Sequence, residues 1–166
     1  LTGMNEACLN LLGKDIGTPE GQALAARVLD HMRTRLAAFQ EETGNLYNLE
    51  ATPAEGTSFR LAKLDRQLYP DLVTAGTPEA PFYTNSTQLP VGYSRDIFQV
   101  LDLQDDLQTR YTGGTVQHIF LGESVSDPAA VKQFVRTVCS HYRLPYFTLT
   151  PTFSICPEHG YLRGEQ

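Results

Sequence analysis

The chain has 166 residues, 41% hydrophobic and 19% charged, with a net charge of −6. That is enough apolar material for a core, it excludes a disordered segment, and the length fits one domain or slightly more. Scattered cations (Arg27, Arg33 and Arg35 in one stretch, Arg60, Lys63 and Arg66 in another) and a sequence pI of about 5.1 exclude the basic stripe of a nucleic-acid binder. Cys8, Cys139 and Cys156 are too few and too irregular for a disulfide framework, which fits a reducing, cytoplasmic compartment. No apolar run approaches the ~20 residues that span a bilayer, and Asn5 and Glu6 interrupt any signal-peptide stretch. The chain opens at Leu1 without a methionine and stops at Arg163–Gln166 just past a strand-like run, so both ends read as cut.

Leu1, Met4, Cys8, Leu11 and Leu12 carry helical spacing, and Gly13 can end that helix. Thr18-Pro19-Glu20 is a helix start, with Thr as N-cap, Pro at the first position and an acid in the first turn. Leu24, Val28, Met32, Leu36 and Phe39 repeat on one face of that long helix, down to Gly44. Asn45 to Ala51 alternates like a strand, and Pro53 and Gly56 punctuate its end. Leu61, Leu64 and Leu68 predict a short helix closing near Pro70, with Val73–Pro81 a loop. Phe82-Tyr83-Thr84 is a short strand leading through Asn85-Ser86-Thr87 to a turn around Pro90 and Gly92.

Ser94 is the expected N-cap of a helix bearing Ile97, Phe98, Leu101 and Leu107, which Gly113-Gly114 breaks. Thr115–Leu121 reads as a strand, and Ser126-Asp127-Pro128 starts the last helix, with Val131, Phe134, Val135 and Val138 inward. Leu144–Cys156 is expected as one final, long strand, with Pro151 marking an irregular or terminal position because proline cannot donate to a ladder. About four strands alternating with four or five helices predict an α/β architecture with a mostly parallel sheet, too few strands to close a barrel alone.

Five runs in order resemble stretches of the large chain of anaerobic (class III, glycyl-radical) ribonucleoside-triphosphate reductases. They are LTGMNEA from Leu1, NLEATPAEG from Asn48, FYTNSTQLP from Phe82, YTGGTVQH from Tyr111 and TPTFSICP from Thr150, the last followed by Glu158-His159-Gly160-Tyr161. The resemblance covers essentially the whole chain. It implies a ten-stranded α/β barrel of two half-barrels, of which residues 1–166 form a single fragment supplying much of the second half. The radical cysteine loop and the allosteric nucleotide sites are then expected upstream of Leu1, and the four-cysteine zinc site and glycyl-radical motif beyond Gln166. This segment would hold no catalytic residue, no metal and no cofactor of its own. The implied partners are a ribonucleoside triphosphate, the rest of the reductase chain, a radical-SAM activating enzyme and a second copy of the parent, with no nucleic acid or membrane. Formate or a thiol protein is the implied reductant. The alternative is a free-standing, non-catalytic nucleotide- or partner-binding module derived from that family.

Thr84-Asn85-Ser86-Thr87 offers hydroxyls, an amide and consecutive backbone N–H groups, a combination that can hold phosphate without a metal. Asn, Ser and Thr are also ordinary turn residues, but a Thr/Ser-rich run after a barrel strand binds substrate phosphates in this superfamily, and this run resembles it. Asn48, Glu50 and Glu55 would line the active site from a strand, a carboxylate orienting a substrate hydroxyl; satisfied buried polar groups, or plain exposure for Glu55, is the blander alternative. Cys156 and His159 form C-x-x-H, half a zinc site without a second pair. Cys156 otherwise reads as a small strand-end residue and His118 as a core or interface histidine, and both are candidates for lining the active site. Gly160-Tyr161 follows Glu158-His159 instead of the family's Arg-Val-x context, so it is no radical site, and Gly113-Gly114 is too short for a nucleotide fingerprint. A Cys/His hydrolase would draw on Cys139 or Cys156 with His118, His141 or His159. Cys139 and His141 stand two apart on a helix and diverge, and an apolar stripe before Cys139 predicts burial.

Overall fold

The computed structural model describes residues 1–121, 127–150, 153–156 and 160–163, the last two stretches by their backbone alone. The architecture is mixed α/β and divides into two compact units, Leu1–Thr115 and Val116–Gln166.

In the first unit, α1 spans Met4–Leu12 and starts three residues later than its periodicity suggests. Thr2 pairs with Asn85 as an antiparallel bridge, and Gly3 turns the chain with φ 84. A Cβ on Gly3 would stand 3.2 Å from the Tyr83 side chain, so glycine answers both the left-handed backbone and the close approach. Helix α2 (Pro19–Thr43) is capped as expected: the Thr18 hydroxyl accepts from Gly21 N at 3.2 Å and donates to Asp15 O at 2.7 Å. Gly44, left-handed at φ 70, closes it. Its innermost line is Ala25 and Leu29, with Leu24, Val28, Met32 and Leu36 flanking them. Phe39 stays outside, edge-on to Tyr47 and beneath the Arg35 guanidinium. The core joins these residues to Met4, Cys8, Ile16, Leu49, Leu89, Leu107 and Tyr111.

The strand expected over Asn45–Ala51 does not form. Its backbone bonds go to the turn at 112–114 instead: Leu49 O accepts from Thr112 N and Gly113 N, and Ala51 N donates to Gly114 O. Helix α3 (Glu55–Leu68) follows Ala54, and it buries Ser58 and Ala62. Leu61, Leu64 and Leu68, whose spacing marked this helix, lie on its exposed side. Two two-residue strands, β1 (Ala75–Gly76) and β2 (Pro81–Phe82), pair antiparallel within the predicted loop and strand. Tyr93 N donates to Pro90 O with Gly92 at φ 79, the turn expected there. Helix α4 (Ile97–Gln108) is capped by Asp96, not Ser94, its carboxylate accepting from Phe98 N at 2.9 Å. Ser94 acts one step earlier, accepting from Asp96 N and donating to Gln99. Leu101 and Leu107 point inward, whereas Phe98 is exposed.

In the second unit, β3 (Gln117–Phe120), α5 (Pro128–His141) and β4 (Phe147–Thr150) form a β-α-β unit with β3 and β4 parallel, His118 opposite Thr148. Asp127 caps α5 by accepting from Ala129 N at 2.8 Å; Ser126 lies outside the described residues. Val138 is buried and Val131, Phe134 and Val135 half-buried, the face that was expected. The single long strand over Leu144–Cys156 is two: β4 pairs with β3, while β5 (Phe153–Cys156) pairs antiparallel with β6 (Gly160–Arg163). Pro151, between them, is outside the described residues. Of the three strand pairs described, one is parallel, so a mostly parallel sheet is not what these residues form. Among the described residues no helix is long and apolar enough to cross a membrane.

Candidate functional site

The sequence-predicted run Thr84–Thr87 sits where the chain leaves β2 and meets the start of α1 and the inner face of α4. It is held from three directions. Gly3 N and Met4 N, at the head of α1, donate to Thr84 O at 2.8 Å and Ser86 O at 3.1 Å. From α1 itself, the Glu6 carboxylate accepts from Thr84 N at 2.9 Å and from the Thr84 hydroxyl at 2.6 Å. From α4, Gln104 Nε2 donates to Thr87 O at 3.0 Å, and the Thr87 hydroxyl shares a hydrogen bond of 2.9 Å with Tyr111 Oη.

Thr84, Ser86 and Thr87 are buried, and Asn85 is half-buried. Ser86 has φ 46, a left-handed conformation that a non-glycine residue holds only when its surroundings enforce it. Its hydroxyl lies 2.6 Å from Asn85 Oδ1 and 3.1 Å from Leu1 O, with its single proton shared between these two acceptors. All three hydroxyls of the run thus engage the protein, and Asn85 is its most accessible side chain. Behind it, Gln108 Nε2 donates to Gln104 Oε1 at 2.7 Å, and the Thr115 hydroxyl donates to Gln108 Oε1, so the polar chain continues through α4. Such fully paired buried networks rigidify the segment that they hold.

The run is anchored on its upstream side as well. Ser58 Oγ accepts from Tyr83 N and donates to Tyr83 O, and Tyr83 Oη donates to Asp65 at 2.7 Å. Burial, followed by the Asp65 carboxylate, pushes the Tyr83 phenol well above its ordinary range. Burial likewise raises Tyr111, against hydrogen bonds from Thr87 and Ser86 that lower it. Both rings therefore serve as neutral hydroxyls. A cleft of about 280 Å³ lies beside this junction, lined by Thr2, Gly3, Glu6, Asn10, Leu72 and Tyr83, among others.

Asn48 and Glu50 do come together, but on the rim of the 112–114 turn. A Cβ on Gly113 would stand 3.0 Å from Asn48 Cγ and 3.3 Å from Glu50 Cβ. Both are exposed, and neither lies on a strand. Glu55 opens α3, exposed, as an acid in a first turn. His118, in the second unit, is an exposed strand residue rather than a core one: it stacks on Phe120 and shares a 3.0 Å hydrogen bond with Thr148 Oγ1. The Cys156 backbone belongs to β5, but its side chain and all of His159 fall outside the described residues. Among the described residues no group of three His, Cys, Asp or Glu side chains is placed to hold a metal. Cys139 is exposed on α5, contrary to the burial expected of it, and His141 Nδ1 is occupied by Thr137 O at 2.9 Å. No hydrolase pair forms between those two.

Glu6, Gln104, Gln108 and Tyr111 were not singled out by sequence. The signal was a polar residue on an apolar face: Glu6 lies beside Met4 and Cys8, and Gln104 and Gln108 share their face with Leu101 and Leu107.

The sequence model of the family described as anaerobic ribonucleoside-triphosphate reductase matches residues 1–166. A protein of that description from Enterobacteria phage T4 is 28% identical over 111 residues, covering 67% of this chain and 17% of its own length. The crystal structure of the anaerobic ribonucleotide reductase from Thermotoga maritima with MES in the active site is similar at 27% identity and a TM-score of 0.77, covering 99% of this chain. A second solved anaerobic ribonucleotide reductase is similar at 26% identity and a TM-score of 0.76. The chain spans 27% and 26% of the length of those two solved chains. Matched from its first residue to its last, the chain belongs to the anaerobic ribonucleoside-triphosphate reductase family.

Proposed function

We propose that this chain is part of an enzyme that reduces ribonucleoside triphosphates to deoxyribonucleoside triphosphates, and that its share is to wall the catalytic barrel and hold the substrate's phosphates. The family match over residues 1–166 carries the reaction. The phosphate role is carried by one observation, the rigidly held turn at Thr84–Thr87 with its left-handed Ser86. In this reading the three hydroxyls do not grip the ligand. They tie the turn to Glu6, Leu1 and Tyr111, as the Thr84 and Thr87 N–H groups also do at Glu6 and Tyr111, and the binding groups are the backbone N–H and the side-chain amide of Asn85. Asn85 Oδ1 accepts the Ser86 hydroxyl, which leaves Nδ2 as the donor that can turn to an anion. A preorganised set of N–H groups binds phosphate without a reorganisation cost at the moment of binding.

The β-α-β unit of β3, α5 and β4 is the element that fits a half-barrel wall. Asn48 and Glu50, on one rim with Gly113, are candidates for lining the site with their polar atoms. The radical and the structural zinc belong to the remainder of a longer protein, and the reductant, the activating enzyme and a second parent copy are its separate partners. The residues here bind and orient, so that reacting atoms elsewhere in that protein are aligned.

The test is an anaerobic assay on the full-length protein that carries this chain. Conversion of a ribonucleoside triphosphate to its deoxy form is expected, with Asn85→Ala raising KM about tenfold at little changed kcat, the signature of lost ground-state binding. A full-length protein that binds nucleotide without turning it over would favour a non-catalytic module. An Asn85→Ala enzyme with unchanged KM would remove the phosphate role.

A further inference from the structure

We infer that Glu6 is the positioning residue of the Thr84–Thr87 turn, a buried carboxylate that fixes the run's first amide and hydroxyl so that the Asn85 donors face the substrate. The inference rests on the phosphate-binding reading of that turn.

Glu6 is 1% exposed, in the first turn of α1. Its Oε2 accepts from Thr84 N at 2.9 Å, and its Oε1 accepts from the Thr84 hydroxyl at 2.6 Å and from Asn5 Nδ2 at 3.0 Å. Three donors converge on it, the pattern of a carboxylate, and bonds of this kind to a charged acceptor are the short, strong ones. Two of the three belong to a residue 78 positions away in sequence, so the acid joins the two segments that make the turn.

An acid beside a phosphate site would weaken it if the two charges faced each other. Here the carboxylate is consumed by Thr84, and Thr84 thereby offers neither its amide nor its hydroxyl to a ligand. What Glu6 supplies is direction. With Thr84 fixed, Gly3 and Met4 bonded to the Thr84 and Ser86 carbonyls, and Gln104 bonded to the Thr87 carbonyl, the Asn85-Ser86-Thr87 backbone has one conformation available. The carbonyl oxygens of Thr84, Ser86 and Thr87 are all turned to protein donors, so an approaching anion does not meet them. Asn5 completes the arrangement: its Nδ2 holds the carboxylate while its Oδ1 accepts from Ile16 N at 3.2 Å, tying Glu6 to the core.

The experiment uses the full-length enzyme with Glu6→Gln, which replaces one of the two acceptor oxygens by an amide donor, and Thr84→Val, which removes the hydroxyl donor, so that both weaken the Glu6–Thr84 pair. Both variants are expected to raise KM for a ribonucleoside triphosphate about tenfold with kcat within about threefold, and the double variant to be no worse than the single ones. A residue that only stabilises the fold would lower the unfolding temperature without moving KM. Should Glu6→Gln fail to fold, Thr84→Val decides alone. Unchanged KM in the folded variants, with Asn85→Ala still raising it, overturns the positioning role and leaves the phosphate site standing. Unchanged KM in all of them, Asn85→Ala included, overturns both.

Discussion

The Ser58 hydroxyl bonds both backbone polar groups of one residue, accepting from Tyr83 N at 2.8 Å and donating to Tyr83 O at 2.7 Å. A side chain on α3 thereby does for Tyr83 what a neighbouring strand would do, at the residue just before the candidate phosphate turn. The same contact explains why α3 shows its leucines outward: the face that must reach Tyr83 is the one bearing Ser58 and Ala62.

Replacing Ser58 by alanine removes both bonds and leaves an amide and a carbonyl without those partners, at a cost of about 1–3 kcal/mol. Urea unfolding of the Ser58→Ala protein should show a lower midpoint with an unchanged slope. An unaltered midpoint would mean that water replaces the hydroxyl without penalty.

Gly21 gives a test in which two effects oppose each other. Alanine is the better helix former by about 1 kcal/mol. A Cβ on Gly21, however, would lie 2.1 Å from Asp15 O and 2.8 Å from Ile16 Cα, both backbone atoms of the loop that leads into α2. The clash should win, with Gly21→Ala losing about 1–3 kcal/mol net, as overpacked sites do. A stabilised variant would show that the loop can move aside freely.

Stability should fall in alkali. Tyr83 and Tyr93 are raised by burial and by Asp65 and Asp15 respectively, and Tyr111 by burial. The folded state keeps these protons while the unfolded chain releases them near the ordinary value of 10.0. The unfolded state therefore binds fewer protons above that pH, and the slope of stability with pH is negative. The contribution is complete below about pH 10 and is lost as pH climbs towards the raised folded values. Unfolding midpoints measured across that range should drop less steeply in Tyr83→Phe, which has no proton to lose; equal slopes would remove Tyr83 as a cause.

Local rules made much of this legible. Thr18-Pro19, Asp127-Pro128, Gly13 and Gly44 act at helix ends as their chemistry dictates, because capping involves only neighbours in sequence. What depends on distant partners was misread. Alternation over Asn45–Ala51 could not reveal that Thr112–Gly114, a turn, takes its hydrogen bonds. Leu61, Leu64 and Leu68 have helical spacing, but spacing does not say which face a distant Tyr83 will claim. The turn at Thr84–Thr87 was visible as a polar run. Its supports were not, because Glu6 and Gln104 lie 78 and 17 residues from their partners and look like single polar residues on apolar helices.

The most direct test is an anaerobic crystal structure of the full-length protein with a ribonucleoside triphosphate bound. Phosphate oxygens are predicted about 3 Å from Asn85 Nδ2 and from the Asn85 backbone N, with Glu6 still bonded to Thr84. Phosphates bound elsewhere, with the donors of Asn85 facing protein alone, would contradict the account.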